Sequence, residues 1–365
     1  MVKSTLNLYC FDKNILLKDP SECLACDFKG KIIFKERDFI SCPNCRLAEN
    51  LKYNVIMPLK ITPIGSEILP SKKIDTILIV RTGGGLGDIV VTTPVARGLR
   101  EKFPDKKIYY HCHEKYKDIL EGNPDLDGII TERKANDGYD LVIELDNPCP
   151  CYIYEARSIQ NRQAITKPRI DLFCERAGVD PKDKLPFVKV NKSESDWIDE
   201  FFREKKVKKV KIAIAPTSAE MMKNWPIERI KELVPMINKN LNATVFILHD
   251  LPILVDDTIG FFAYPLKKVI ALASKMDLVV GVDSAFIHLS GALQRPIIGL
   301  FGVNEPVRVM YYNKYKSWIY KKEQFKCSPC YYLHTCLKYP SPCMEAITAE
   351  EVFNEIKKRL SDKMP

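Results

Sequence analysis

Short apolar runs alternate with amphipathic stretches along most of this chain. Runs rich in β-branched residues occupy positions 75–81, 107–111, 128–130 and 139–145, and a helical pattern follows the first of them at 88–102. Runs of this length and composition are typical of strands buried in a parallel sheet, and the stretches between them are typical of covering helices. This part of the chain is therefore predicted to form an α/β unit.

The same alternation begins again after a basic linker. The predicted strands are 210–216, 243–248, 278–282 and 296–302, and the predicted helices are 226–240, 266–275 and 285–293. Ligands of such sheets bind at the carboxyl ends of the strands. We therefore expect two facing α/β halves whose loops at 82–88, 216–224, 249–257, 283–285 and 302–308 border one cleft.

These patterns divide the chain into five parts. A proline-punctuated connector separates a cysteine-containing N-terminal region from the first half. A last helical segment is expected to pack back on the first half. The predicted parts are 1–57, a zinc ribbon; 58–73, a linker; 74–195, the first half; 196–345, the second half; and 346–365, the C-terminal helix.

Four of the thirteen cysteines have the spacing of a zinc site. Cys23 and Cys26 form one Cys-x-x-Cys pair, Cys42 and Cys45 form another, and fifteen residues lie between the pairs. Two such pairs present four thiolates to one tetrahedral zinc ion. A closed site of this kind has no position for a substrate, so the zinc is expected to be structural.

A second cysteine cluster lies near the C-terminus. It contains Cys327, Cys330, Cys336 and Cys343, with His334 inside it. The cluster is compatible with a second metal ion, and equally with free thiols in a compact loop. Both interpretations stay open at this stage.

Composition and charge indicate a globular protein without a concentrated basic arm. Hydrophobic residues make up 46% and charged residues 28% of the chain. The net charge of +9 is spread along it, with only +2 (10 basic minus 8 acidic residues) in positions 1–70. No apolar stretch approaches the roughly 18 residues that span a bilayer. We expect a cytoplasmic location, at most peripheral to the inner face of a membrane.

A glycine-rich loop follows the first strand of the first half. The sequence Arg81-Thr82-Gly83-Gly84-Gly85-Leu86-Gly87-Asp88 is neither a Walker loop nor a dinucleotide-binding fingerprint. Asp88 stands at the predicted start of a helix, whose positive end stabilises a carboxylate. It is either a helix cap or a base for an incoming hydroxyl.

Three ordered motifs resemble the heptosyltransferase-like glycosyltransferases, glycosyltransferase family 9. The first motif runs from Arg81 to Pro104, the second is Lys223-Asn224-Trp225-Pro226, and the third runs from Asp283 to Leu293 and into 296–302. The resemblance covers about residues 74–360. It implies two facing Rossmann-like domains of the GT-B type, with the acceptor on the first and a nucleotide-diphosphate sugar on the second.

The resemblance also implies an inverting glycosyltransferase that needs no catalytic metal. Asp88 matches the general base of the family, and Gly84, Gly85 and Gly87 form the loop on the acceptor side. The residues assigned to donor binding are Thr217, Ser218, Lys223, Asp283, Ser284 and His288.

The predicted zinc ribbon is a departure from the typical family member and suggests a different acceptor or a docking partner. Two alternatives stay open. The ribbon could direct sugar transfer to modified bases in DNA, although its low charge gives nucleic acid no clear support. The chain could also be a non-catalytic module that binds a nucleotide sugar or serves in assembly.

Overall fold

The computed structural model describes residues 8–10, 15–17, 74–132, 138–146, 167–249, 255–310, 312–331, 336 and 339–361. Within the N-terminal region, strands β1 (Leu8–Cys10) and β2 (Ile15–Leu17) pair in antiparallel fashion. The four cysteines of the predicted zinc ribbon lie outside the described residues, and so does the predicted linker. The ribbon therefore stays a prediction.

The first half contains a parallel sheet in the order β5-β4-β3-β6. The runs predicted from apolar residues form these strands, because a strand covered on both faces must be apolar on both. They are β3 (Thr76–Val80), β4 (Lys107–His111), β5 (Gly128–Ile130) and β6 (Leu141–Glu144). The helices of this half are α1 (Leu86–Lys102), α2 (Lys117–Leu120) and α3 (Arg169–Arg176).

The second half is built on a parallel sheet in the order β12-β11-β10-β7-β8-β9. Its strands are β7 (Val210–Ala215), β8 (Ala243–Leu248), β9 (Ile259–Phe261), β10 (Leu278–Val282), β11 (Ile297–Phe301) and β12 (Lys316–Tyr320). Its helices are α4 (Lys192–Glu204), α5 (Ile227–Asn240), α6 (Leu266–Lys275), α7 (Ala285–Ala292), α8 (Pro306–Met310), α9 (Pro342–Glu345) and α10 (Ala349–Ser361). Short edge strands β9 and β12 and helices α3, α4, α8 and α9 were not predicted, since their apolar patterns are brief or mixed.

The strand order reverses at one point in each sheet. In the first half the chain proceeds outward from β3 to β5 and then returns to place β6 on the other side of β3. In the second half it proceeds from β7 to β9 and returns to place β10 beside β7. Loops on the two sides of such a reversal diverge and leave a crevice at the carboxyl ends of the strands.

The two halves share buried surface along α1 and α7. Leu289 and Ala292 of α7 lie in the same apolar cluster as Ile89 and Val95 of α1. This packing sets the amino ends of α1 and α7, and therefore the loops that precede them, close to one another.

Two expectations about domain boundaries are corrected by the packing. The C-terminal helix α10 buries Val352, Phe353 and Ile356 against α5 in the second half, not against the first half. The boundary predicted between residues 195 and 196 falls inside α4, whose Ile198 and Phe201 lie in the core of the second half. Both helices are amphipathic, and sequence alone does not show which sheet receives an apolar face.

Within the described ranges, no helix is long and apolar enough to cross a membrane.

Candidate active site between the two sheets

The glycine-rich loop turns from β3 into α1 at the point where the first sheet reverses. Helix α1 begins two residues earlier than predicted, with Gly85 as its N-cap. Asp88 is thus not the cap but the third residue of the helix, and its Oδ2 accepts a hydrogen bond from the Gly85 N–H at 2.8 Å. This is the carboxylate half of a capping box, in which a side chain of the first turn reaches back to the cap.

Two glycines of this loop are required by the space around them. Gly84 has a φ of +80°, and a β-carbon there would lie 2.6 Å from Oδ2 of Asp88. A β-carbon at Gly87 would lie 2.5 Å from Cδ2 of His288 in the second half. At Gly85 the nearest such atom would be 3.9 Å away, so the absence of a side chain is not needed for space there.

Asp88 lies between two arginines. Its Oδ1 is 3.4 Å from Nη2 of Arg81 and also forms a short ion pair with Nη2 of Arg169. Burial raises the pKa of Asp88, but the charges of Arg169 and Arg81, the Gly85 N–H and the charge of His288 outweigh it, so the pKa is held below its usual value. The carboxylate is therefore ionised at neutral pH, as a base must be, although its basicity is reduced.

Asp146 fixes the glycine loop from the end of β6. Its Oδ2 accepts hydrogen bonds from the N–H and the hydroxyl of Thr82, and its Oδ1 accepts from the N–H of Gly83 at 3.0 Å. The same Oδ1 pairs with Nη1 of Arg81, which also donates to the Leu145 carbonyl. Since Arg81 is 5% exposed and stacked on an aromatic ring, it is part of the rigid frame of the loop.

The second half contributes a buried ion pair at its own switch point. Nζ of Lys223, which follows β7, lies 3.0 Å from Oδ2 of Asp283, which follows β10. The same oxygen accepts a hydrogen bond from Asn304 at 2.5 Å. Burial raises the pKa of Asp283, but the charge of Lys223 and the hydrogen bond from His288 hold it well below its usual range. The carboxylate is fully engaged, so it orients Lys223 and His288.

His288 connects this ion pair to the glycine loop. Its Nε2 is 3.4 Å from Oδ1 of Asp283, and its Nδ1 is 2.7 Å from the hydroxyl of Tyr312. Burial raises the pKa of Tyr312, so its hydroxyl keeps its proton at neutral pH and remains hydrogen-bonded to the imidazole. The ring is thereby held in the position that places Cδ2 against Gly87.

The remaining residues assigned to donor binding lie beside this network. Ser284 is the N-cap of α7 without a side-chain cap bond, and its buried hydroxyl has no hydrogen-bond partner among the described residues. Ser218 shapes the loop after β7 through its N–H, which donates to Asn224 at 2.8 Å. Thr217 lines a cavity of about 380 Å³, together with Trp225, His249 and Tyr339.

Four of the five predicted cleft loops meet as expected. The loops at 216–224 and 302–308 meet the loop at 283–285 at Asp283. The loop at 82–88 contacts α7, the helix that follows 283–285, through Gly87 and His288. The fifth loop is described only in part, and its first residue, His249, lines the cavity with Thr217.

Sequence reasoning missed several residues that complete the site. Asp146 could have been found, because it follows a predicted strand next to the switch point. Asn304, which reaches Asp283, lies in the predicted cleft loop at 302–308 but was not singled out. Arg169 and Tyr312 carried no local signal, since packing of elements distant in the chain brings them to Asp88 and His288 respectively.

The cysteines of the C-terminal cluster lie close enough for charges on Cys330, Cys336 and Cys327 to raise the pKa of Cys343, after burial itself. Even so, no group of three or more cysteine, histidine or acidic side chains is arranged to hold a metal ion in the part of the chain that is described. The second metal site therefore has no support from these residues.

Two sequence comparisons match parts of this chain to heptosyltransferases. Residues 264–338, which include Asp283, Ser284 and His288, match the model of glycosyltransferase family 9 (heptosyltransferase). A stretch of 156 residues is 28% identical to the lipopolysaccharide core heptosyltransferase OpsX of Haemophilus influenzae, covering 39% of this chain and 43% of that protein. The match thus spans less than half the length of this curated relative.

Solved structures share the fold over a greater length. A family 9 glycosyltransferase from Veillonella parvula matches with a TM-score of 0.62 at 17% identity, covering 79% of this chain and 98% of that one. The ADP-heptose lipopolysaccharide heptosyltransferase II of E. coli matches with a TM-score of 0.58 at 15% identity, covering 79% and 99%. This chain therefore has the GT-B fold of the heptosyltransferases and is similar in sequence to glycosyltransferase family 9 where Asp283 and His288 lie.

Proposed function

We propose that this protein transfers a heptose-like sugar or a hexose from a nucleotide-diphosphate donor to a hydroxyl of a saccharide or surface polymer. The observation that carries this proposal is the contact of Gly87 with His288. It brings Asp88, a partly buried carboxylate of the first half, close to the Lys223–Asp283 pair of the second half. Sugar transfer between two substrates requires a base on one wall of the cleft and a site that stabilises the leaving group on the opposite wall.

In the proposed reaction Asp88 is the general base. It takes the proton of the acceptor hydroxyl while that oxygen attacks the anomeric carbon of the donor. The bond from the anomeric carbon to the diphosphate breaks, and its electron pair leaves with the nucleoside diphosphate. A single displacement of this kind inverts the anomeric configuration.

The leaving group is stabilised without a catalytic metal in this proposal. Negative charge develops on the diphosphate as the bond breaks, and Lys223 supplies a compensating positive charge. The first backbone N–H groups of a helix such as α7 have no partner within the helix, and its N-cap is Ser284, whose hydroxyl has no hydrogen-bond partner among the described residues. Helix amino ends and lysines are common binding groups for phosphate.

The nucleoside is proposed to occupy the cavity beside Thr217. Its volume of about 380 Å³ falls within the range of small-molecule sites. Trp225 is buried, and its indole N–H donates to the Ile347 carbonyl at 3.0 Å, so it forms a fixed wall. Tyr339 is 63% exposed at the cavity, and its ring is available to cover a base.

The relatives suggest the substrates to try first. A matched structure is named for ADP-heptose, and the curated relative is named for the lipopolysaccharide core. We therefore propose ADP-heptose as the first donor and a lipopolysaccharide-core saccharide as the first acceptor. These relatives give no support to transfer to modified DNA bases.

A zinc ribbon formed by Cys23, Cys26, Cys42 and Cys45 remains part of the proposal as a structural module. Its metal would stabilise the N-terminal region and take no part in the transfer. A docking role toward the acceptor is its simplest use in an enzyme whose catalytic groups all lie after residue 74.

The test is a transfer assay with ADP-heptose and a lipopolysaccharide-core acceptor, with chelator present and absent. We expect transfer by the native protein in both conditions, and loss of transfer with retained ADP binding in Asp88→Ala. Asp118→Ala, which removes a carboxylate on α2 that pairs with Lys267, is the matched control and should retain transfer. ADP binding without transfer to any acceptor tried would favour the non-catalytic alternative.

A further inference from the structure

Arg169 is the more exposed of the two arginines that flank Asp88. Arg81 has a side chain only 6% exposed and is fixed by Asp146, by the Leu145 carbonyl and by the ring of Phe173. Arg169 has a side chain 19% exposed and stands at the first residue of α3. A cation at a helix amino end is opposed by the helix dipole, which favours an anion there.

The positive charge of Arg169 also acts on two residues of the second half. It acts on Asp283 and on Tyr312, in each case opposing the rise in pKa that burial causes. The guanidinium therefore faces both the proposed base and the donor side. Lys223 is already matched by Asp283, so a bound diphosphate adds negative charge for which a further nearby cation is favourable.

We infer that Arg169 masks Asp88 in the free protein and moves onto the diphosphate when the donor binds, so that the base is released only in the loaded enzyme. This inference rests on the proposed function. Arg169 is a positioning residue in this role, since it acts on the reaction through Asp88.

Physical chemistry favours the exchange. A diphosphate carries more negative charge than one carboxylate, and guanidinium groups bind phosphate oxygens in a bidentate manner. After the exchange, Arg81, the Gly85 N–H and His288 still face Asp88 and keep it oriented. With one of its two arginines withdrawn, the carboxylate becomes a stronger base toward the acceptor hydroxyl.

The inference is tested by following the titration of Asp88 itself. Protein labelled with ¹³C at aspartate carboxyl carbons is titrated by NMR with and without saturating ADP, and the Asp88 signal is assigned from Asp88→Asn. In the native protein, ADP should raise the Asp88 pKa by about one unit or more. In Arg169→Gln the pKa should already be raised without ADP, and ADP should add little.

A matched control separates this effect from a general change in charge. Lys167→Gln removes a positive charge two residues away, where Lys167 pairs with Glu175 on the surface. It should titrate like the native protein. An ADP-induced rise of the same size in Arg169→Gln and in the native protein would overturn the inference, because the diphosphate would then act on Asp88 directly. So would an Asp88 pKa that ADP leaves unchanged.

Kinetics gives a second readout that a structural role of Arg169 would not reproduce. The pH profile of kcat/KM reports the free enzyme and that of kcat reports the complex. Arg169→Gln should move the acidic limb of kcat/KM to higher pH and leave that of kcat nearly in place. Equal shifts of both limbs would contradict the inference. Calorimetry that detects no binding of ADP or ADP-heptose would instead contradict the proposed function, and the inference with it.

Discussion

The ring of His288 lies against the backbone of Gly87, so closely that a β-carbon on the glycine would be 2.5 Å from Cδ2 of the histidine. This contact joins the loop that carries Asp88 to the network that holds Lys223. The histidine is held from behind by Tyr312 and Asp283. The distance between the loop with Asp88 and the network with Lys223 is thus set by the contact of Gly87 with the anchored imidazole of His288.

Gly87→Ala is expected to force this contact apart. Overpacking a closely packed site costs about 1 to 3 kcal/mol, so the midpoint of urea unfolding should fall. Gly85→Ala, where the added carbon has room, should lower the midpoint less, because it changes only the preference of the helix N-cap. In a Gly87→Ala/His288→Ala double variant the cost of the first change should largely vanish. Additive costs of the two changes would show that the contact does not constrain the halves.

Asp283→Asn should destabilise the protein in a pH-dependent manner. Removing one partner of a buried pair costs about 3 to 5 kcal/mol, and this loss is expected at pH 7. The folded-state pKa of Asp283 is depressed, so its stabilisation is complete above the unfolded-state pKa of about 4 and is lost as the pH falls through the folded-state value. The difference in the free energy of unfolding between the native protein and the variant should therefore become smaller below about pH 4.

The control for this measurement is Asp199→Asn. Asp199 forms an ion pair with Lys275 and its side chain is 50% exposed, so its removal should change stability by less than about 0.5 kcal/mol at any pH. If the difference in the free energy of unfolding between the native protein and Asp283→Asn stays constant from pH 7 to pH 3, the buried carboxylate does not carry the charge described above.

Lys223→Gln should weaken the binding of ADP. A hydrogen bond to a charged group contributes about 1.5 to 3 kcal/mol, which corresponds to a loss of roughly 10- to 100-fold in affinity by calorimetry. The change also leaves the buried Asp283 carboxylate without its cation, so the melting temperature should fall as well, and affinity is measured at a temperature at which the variant is folded. Lys231→Gln, on an exposed face of α5, should bind ADP normally. Unchanged affinity in Lys223→Gln would remove this lysine from the donor site.

Elemental analysis is expected to find about one zinc ion per chain. Replacing Cys23 and Cys26 with serine should remove it, because two thiolates do not hold zinc firmly. Cys112→Ala should retain the zinc, since Cys112 is a single buried thiol. A zinc content that survives the loss of Cys23 and Cys26 but not of Cys327 and Cys330 would transfer the site to the C-terminal cluster.

The sequence by itself determined the α/β class, nearly all the long strands and helices and the loops that carry Asp88, Lys223 and Asp283. These follow from local rules: buried parallel strands are continuously apolar, and polar residues after them fall at the carboxyl edge of the sheet. The sequence also placed Gly84 and Gly87 in this glycine-rich loop. The reason why each must be a glycine is visible only in the three-dimensional contacts.

Only the tertiary structure decided what those residues contact. It made Asp88 the third residue of α1 and placed Arg169 on it from a helix that sequence analysis did not identify. It also engaged Asp283 with three partners and placed α10 on the second half. Such contacts depend on which apolar face packs on which sheet. Faces of similar width and polarity leave that choice to the summed packing of the whole molecule.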